Sequence, residues 1–314
     1  MTMRPLLRNS FLWPKIPRSI KQQNSHSFPQ IISKYIIRNM NSLQQASRIY
    51  KAFQKGGPTF GAWQMLPGTN HSRAIARSGV DWICVDTEHG NIDDGQMHEA
   101  VVAIAAAGVS PIVRIAANEP WMVKRALDSG AHGIIVPLIY TVEDAKKLVS
   151  SAKFPPEGSR GFGSPFSPQT FSNESMTTYL TSANQSLLTI VQIETASALA
   201  SVREIAAVPG VDCLLIGPFD LGNNIGRPIL EPEMHQELKD AIGKIKDAAH
   251  AEGKKVGIYC TGGEQAKEFA ERGFDMVSIA ADMIGIPAYF SQTLNVASSG
   301  TKQGVNSGGG YDGR

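Results

Sequence analysis

The sequence predicts an α/β protein built as a (β/α)8 TIM-type barrel. Apolar, β-rich runs of strand length recur eight times, helix-length segments separate most of them, and a Gly-centred turn announces several. These turns are Ser78-Gly79-Val80-Asp81, Ser129-Gly130-Ala131-His132, Pro209-Gly210-Val211-Asp212 and Arg272-Gly273-Phe274-Asp275, where glycine supplies a left-handed helix end. The expected strands are Thr59 to Gln64, Asp81 to Asp86, Pro111 to Ile115, Gly133 to Pro137, Leu187 to Glu194, Cys213 to Pro218, Lys255 to Cys260 and Met276 to Ala280. Most are continuously apolar, as strands covered on both faces should be, and segments such as Asp93 to Ala107 and Glu233 to Glu252 are long enough for the intervening helices. An open doubly wound sheet is the competing arrangement, but no GxGxxG follows the first strand.

The 314 residues are 42% hydrophobic and 18% charged, which excludes extended disorder and a collagen-like chain. No apolar run reaches the length of a membrane-spanning helix. No Asp or Glu precedes Asp81, and residues 1–47 hold seven basic residues, leaving 23 basic against 28 acidic residues beyond them. A mildly acidic body without a basic run is not a nucleic-acid binder. Cys84, Cys213 and Cys260 all fall in apolar runs without zinc-site spacing, so they read as reduced core residues.

Three regions are expected: a basic leader over 1–47, a barrel over 48–297 and a flexible Gly/Ser-rich tail over 298–314. The leader is Arg-bearing and acid-free like a mitochondrial transit segment, although Pro5, Pro14, Pro17 and Pro29 interrupt any helix in it. Met40 offers a second start, since Met40 to Phe53 leads directly into a first helix. The expected location is mitochondrial if residues 1–39 direct import and cytoplasmic if translation starts at Met40.

In such barrels catalytic groups stand at the C-terminal ends of strands, and ionisable residues gather there. The second strand ends WICVDTEHG, bringing Asp86, Glu88 and His89; Arg114 sits in PIVRI; TIVQIET carries Gln192 and Glu194; LLIGPFDLG carries Asp220. Glu194 and Asp220, from adjacent strands, form a hard oxygen pair suited to Mg²⁺, Mn²⁺ or Co²⁺ rather than zinc, with positions left open for a bidentate 2-oxo acid. The structural alternative makes Glu194 the cap of a helix starting near Thr195 and Asp220 the cap of a turn. His89, three residues after Asp86, is a candidate base oriented by that acid; otherwise it is a surface histidine beside a capping residue.

Arg114 is placed to bind a carboxylate or an enolate oxygen, or to pair with Asp128. Trp63 at the end of the first strand, and Phe219 beside Asp220, are candidate walls of the site. No lysine stands at the C-terminal end of a strand, so Schiff-base chemistry lacks its nucleophile. Pro155 to Gly163 is read as a lid or subunit-contact loop, and His71, His98, His132 and His235 receive no role.

From about Gly61 to Ala281 the motifs GVDWICVDTEHG, SPIVRI, MVKRALDSGAHGIIVP, KFPPEGSRGFG, VQIET and GVDCLLIGPFDLG together resemble the HpcH/HpaI family of metal-dependent pyruvate aldolases. The resemblance implies a (β/α)8 barrel, commonly hexameric with the last helix exchanged between neighbours, and a reversible aldol reaction of pyruvate with an aldehyde. It implies that Glu194 and Asp220 bind the metal beside Gln192, and that Arg114 holds the pyruvyl oxygens. His89 with Asp86 would be the base, supported by Asp128 of the LDSG motif. Two stretches depart from the family's commonest pattern, PGTNHSR after the first strand and LGNNIG after Asp220, and both concern the mouth. The expected partners are a 2-oxo acid, an aldehyde and further copies of this chain, as a hexamer or trimer. Oxaloacetate decarboxylation of the macrophomate synthase kind, CoA-thioester cleavage and a silent scaffold are the alternatives.

Overall fold

The computed structural model describes residues 40–299. The expected leader over 1–39 and the tail beyond 299 lie outside the described residues.

Eight parallel strands close in sequence order into one barrel, with the last paired to the first. They are β1 (Thr59–Gln64), β2 (Trp82–Asp86), β3 (Ser110–Arg114), β4 (Gly133–Val136), β5 (Leu188–Ile193), β6 (Cys213–Ile216), β7 (Lys255–Ile258) and β8 (Met276–Ala281). The helices relevant to the site are α3 (Thr69–Ala76) after β1, α4 (Asp94–Ala106) after β2, α5 (Pro120–Asp128) after β3, α6 (Val142–Ala152) after β4, α7 (Met176–Ser186) before β5, α8 (Ala196–Ala200) and α9 (Val202–Ala206) after β5, α10 (Pro218–Asn224) and α11 (Gln236–Ala251) after β6, α12 (Gly263–Glu271) after β7 and α13 (Asp282–Ser298) after β8. Their starts are written in local chemistry. Asp93 and Gln96 form a reciprocal cap on α4, Thr141 and Asp144 do the same on α6, and Pro218 opens α10 where no backbone donor is needed.

Strand residues serve two cores, which is why their sequences look uniformly apolar. Trp63, Trp82, Cys84, Ile112, Ile190 and Leu215 fill the barrel's interior, while Ile83, Val85, Val113, Ile134 and Val191 pack outward under the helices. Gly61 is obligatory in this packing, because a methyl group there would fall 2.0 Å from the indole of Trp82. The four glycines expected to be left-handed have φ between 88° and 97°. All three cysteines are buried and free. No helix among the described residues is long and apolar enough to cross a membrane.

One boundary differs from expectation. Residues 40–47, assigned to the leader, belong to the same unit as the barrel. Asn41 and Gln44 cap a short helix, α1 (Ser42–Ala46), whose Leu43 is fully buried; α2 (Arg48–Lys55) then inserts Ile49 and Phe53 into the interior cluster. These three apolar anchors are enough to fix the segment, although too few to give a clear helical period.

Candidate active site

Asp86 ends β2 opposite Arg114 at the end of β3, the two being register partners. Asp86 is completely buried, and every bond its carboxylate makes is to a donor that stabilises the charge. Arg114 Nε donates to Oδ1 at 2.9 Å and Nη2 donates to Oδ2; Trp63 Nε1 donates to Oδ2 at 3.1 Å; the backbone N–H groups of Glu88 and His89 donate to Oδ1 at 3.1 and 3.2 Å. A second acid closes on the arginine, with Glu88 Oε2 3.0 Å from Arg114 Nη1. Burial works against the Arg114 charge, but its bond to Asp86 and the surrounding negative charges outweigh this and raise its pKa above that of ordinary arginine. The guanidinium also lies 5.2 Å over the Trp63 ring. At least two of its five N–H donors are left for a ligand.

Glu194 follows β5 and is 2% exposed. The N–H of Leu138 donates to Oε1 at 2.7 Å and Gln192 Nε2 donates to Oε2 in a short bond, while Gln192 Oε1 is buried without a partner. Because Ile193 pairs with Ile216, Gly217 lies beside Glu194, and a Cβ there would stand 2.5 Å from Glu194 Oε2. Asp220 stands in the first turn of α10 and is exposed. Burial, with the charges of Asp220 and Glu88, pushes the Glu194 carboxyl up to about 7 against the pull of Leu138 and Gln192. Burial likewise raises Glu88 to about 7, against Arg114 and with Asp86 and Asp220 adding to it. The charges of Glu88 and Asp220 thus disfavour ionisation of Glu194, and Arg114 pairs with Glu88 alone of the three, an excess of negative charge that a cation would offset. Among the described residues no three His, Cys, Asp or Glu side chains form a ready metal cage. The oxygen-only donors Glu194 and Asp220, with Gly217 giving Glu194 room, fit a hard divalent ion with open positions. Glu194 is not a helix cap: Thr195 performs that task for α8.

Two of the expected relationships are corrected. The His89 imidazole does not meet Asp86, which binds only the His89 backbone N–H; its Nε2 is 3.8 Å from Glu88 Oε1, and the side chain is 60% exposed. An acid three residues ahead of a histidine closes a turn on the intervening N–H groups, and that turn sends the ring outward. Asp128 supports neither His89 nor Arg114. It ends α5, five residues before β4, where Arg160 Nη2 binds it at 2.8 Å. Trp63, expected as a wall, is 2% exposed and serves as a floor, packed edge-on to Trp82 and Tyr259. Phe219 is half-buried with its ring 6.3 Å from that of Tyr259.

Four contributors receive no role in the sequence reading. Glu88 was visible in TEHG, but nothing singled it out from its neighbours. Tyr259 carried the same signal as Trp63, an aromatic residue at a strand's end. Leu138 acts through its backbone at φ 50°, which side-chain chemistry does not announce. Asp282, at the start of α13, accepts the N–H groups of Met65 and Leu66 and binds His71 Nε2 at 2.8 Å, tying the first mouth loop to the last helix.

An eight-stranded barrel whose acids, arginine and histidine gather at the C-terminal ends of β2, β3, β5 and β6 has the layout of a barrel enzyme. The family model for HpcH/HpaI aldolase/citrate lyase matches residues 61–286, and the chain belongs to that family. It is 36% identical over 248 residues to a hydroxypyruvate/pyruvate aldolase of Rhizorhabdus wittichii, covering 79% of this chain and 97% of the relative. It is 38% identical over 226 residues to a 2-dehydro-3,6-dideoxy-6-sulfogluconate aldolase of Pseudomonas putida, covering 71% and 86%. A solved HpcH/HpaI aldolase/citrate lyase family protein from Burkholderia cenocepacia superposes with a TM-score of 0.71 at 33% identity, covering 82% of this chain and 99% of that one.

Proposed function

We propose that this protein is a divalent-metal-dependent aldehyde-lyase that cleaves 4-hydroxy-2-oxo acids to pyruvate, or a close 2-oxo acid, and an aldehyde, and forms them in reverse. The carrying observation is the buried Glu194 carboxyl, held by Leu138 and Gln192 and raised by the charges of Asp220 and Glu88, on a rim where Arg114 is fixed by Asp86 and Glu88, a charge balance suited to a cation bound with a 2-oxo acid. Aldolases among the relatives support the same reading.

Glu194 and Asp220 would hold the metal, Mg²⁺, Mn²⁺ or Co²⁺, which supplies Lewis-acid stabilisation for negative charge on the 2-oxo acid. Leu138 and Gln192 hold Glu194 in one orientation, so the acid does not reorganise when substrate enters. Asp86 and Glu88 grip the guanidinium of Arg114 from two sides and aim its remaining N–H groups at the substrate oxygens. His89, exposed at the mouth, takes the proton of the C4 hydroxyl as the C3–C4 bond breaks, and returns it in the aldol direction. Trp63 and Tyr259 keep the floor dry.

The test is pyruvate release from a panel of 4-hydroxy-2-oxo acids by chelator-treated protein, with and without each metal. Metal-dependent turnover that Glu194→Gln abolishes is expected; undiminished turnover without metal refutes the reading. Oxaloacetate decarboxylation uses the same acids but no base for a hydroxyl, so His89→Ala should stop aldol cleavage and spare it.

Self-association belongs to this proposal. Met283, Ile286, Tyr289, Phe290, Leu294 and Val296 of α13 are all exposed, and Asp282 is the helix's only charged residue. A patch of this kind marks a protein contact, and we assign it to further copies of the chain in a trimer or hexamer. Sedimentation should give such a mass, and Tyr289→Ser with Phe290→Ser should lower it.

A further inference from the structure

The two acids assigned to the cation stand on different elements, Glu194 in the turn after β5 and Asp220 in the first turn of α10, and a site of this kind needs their separation fixed to within a fraction of an ångström. One link between the two elements is a single hydrogen bond. The backbone N–H of Ala196, two residues after Glu194, donates to Asn224 Oδ1 at 2.7 Å. Asn224 closes α10, the helix that carries Asp220, and the two lie four positions apart, so they share a helix face. The carboxylate and the amide therefore move as one body, and the amide is fastened beside the other acid.

The opposite side of the Glu194 loop is fastened to the segment after β4 instead. Leu138 N–H holds Glu194 Oε1, and Thr195 Oγ1 donates to the Ile139 carbonyl at 3.3 Å. Leu138 takes φ 50° to present its N–H, a conformation unfavourable for a branched apolar residue. Strain on one side and a side-chain latch on the other leave residues 194–196 little freedom.

We propose that Asn224 is a positioning residue that sets the distance between Glu194 and Asp220 and so tunes affinity for the divalent cation. It touches neither the cation nor the substrate. The proposal rests on the two-acid metal reading given above.

The test is calorimetric titration of chelator-treated protein with Mn²⁺ alone, alongside thermal unfolding without metal. Asn224→Ala should weaken Mn²⁺ binding about fivefold, the effect of one lost hydrogen bond, with a melting temperature like that of Asn223→Ala, which leaves the Ala196 bond intact and should bind Mn²⁺ as the wild type does. Asn224→Asp keeps an oxygen acceptor for the Ala196 N–H and should bind at least as tightly as wild type. Equal Mn²⁺ affinity in the wild type and Asn224→Ala overturns the role of Asn224 alone, as does equal weakening by Asn223→Ala. Absence of saturable Mn²⁺ binding in the wild type overturns the metal reading, and this inference with it.

Discussion

Replacing Glu194 by Gln should stabilise the metal-free protein at alkaline pH while abolishing its response to metal. The folded carboxyl titrates at about 7 because it is buried near other acids, whereas in the unfolded chain it titrates at about 4.3. The folded state therefore binds the proton more tightly. Well below about pH 4.3 both states are protonated and the group costs nothing; as pH rises toward 7 stability is lost, and above 7 the full cost stands, about 4 kcal/mol. Gln removes the charge and keeps the shape. Its oxygen accepts from Leu138 N–H, and its amide donates to Gln192 Oε1, now without a partner, once the Gln192 amide turns over. In urea unfolding of chelator-treated protein, the variant should exceed wild type by about 4 kcal/mol near pH 8 and nearly match it near pH 4.5. Saturating Mn²⁺, at about a hundred times its dissociation constant, should add about 2.7 kcal/mol to wild type and nothing to the variant. A variant no more stable than wild type near pH 8, or one that gains equally at both pH values, would refute the claim that Glu194 holds a disfavoured charge.

Gly217→Ala places a methyl group 2.5 Å from Glu194 Oε2, and should weaken Mn²⁺ binding and turnover at least about tenfold, since Glu194 must leave its position; circular dichroism should show the barrel unchanged. Arg114→Met leaves Asp86 buried without its cation and should cost about 3–5 kcal/mol in urea unfolding, with Arg114→Lys recovering only part for want of a planar fork. His132, fully enclosed between Ser110, Thr170 and the Phe171 ring, is driven by burial down to about 4. Its contribution is whole above about pH 6.5 and falls away as pH drops through 4, up to about 3 kcal/mol. His132→Gln should flatten that acid slope in unfolding titrations.

The barrel was legible because the strands are largely buried on both faces and the left-handed glycines Gly79, Gly130, Gly210 and Gly273 follow helices, two signals that local sequence carries by itself. Strand ends differed by one or two residues where an apolar run continues into the loop, as Cys260 does after β7. The boundary at residue 47 failed because α1 and α2 are anchored by a few residues whose partners lie far along the chain. Residue types at the rim were legible too, but not their pairings. Asp86 and His89 are near in sequence and their side chains diverge; Asp86 and Arg114 are 28 residues apart and meet because β2 and β3 set them in register.

The same division explains what makes the rim capable of chemistry. Strands deliver the charged groups in fixed order, and adjacent strands in register bring Glu194 beside Gly217 without any choice by the loops. Just beyond the strand ends the chain also sets the charges of Glu88, Glu194 and Asp220 against one another, which raises the Glu88 and Glu194 carboxyls. The loops then add what strands lack: the Leu138 N–H, the Asn224 latch and the Asp282 anchor, none of them a group that performs chemistry. A sequence pattern advertises the first contribution through residue type and conceals the second, because a backbone N–H or a surface amide has no distinctive letter. The departures at PGTNHSR and LGNNIG contain His71 and Asn224, both of which bind across loops in the structure.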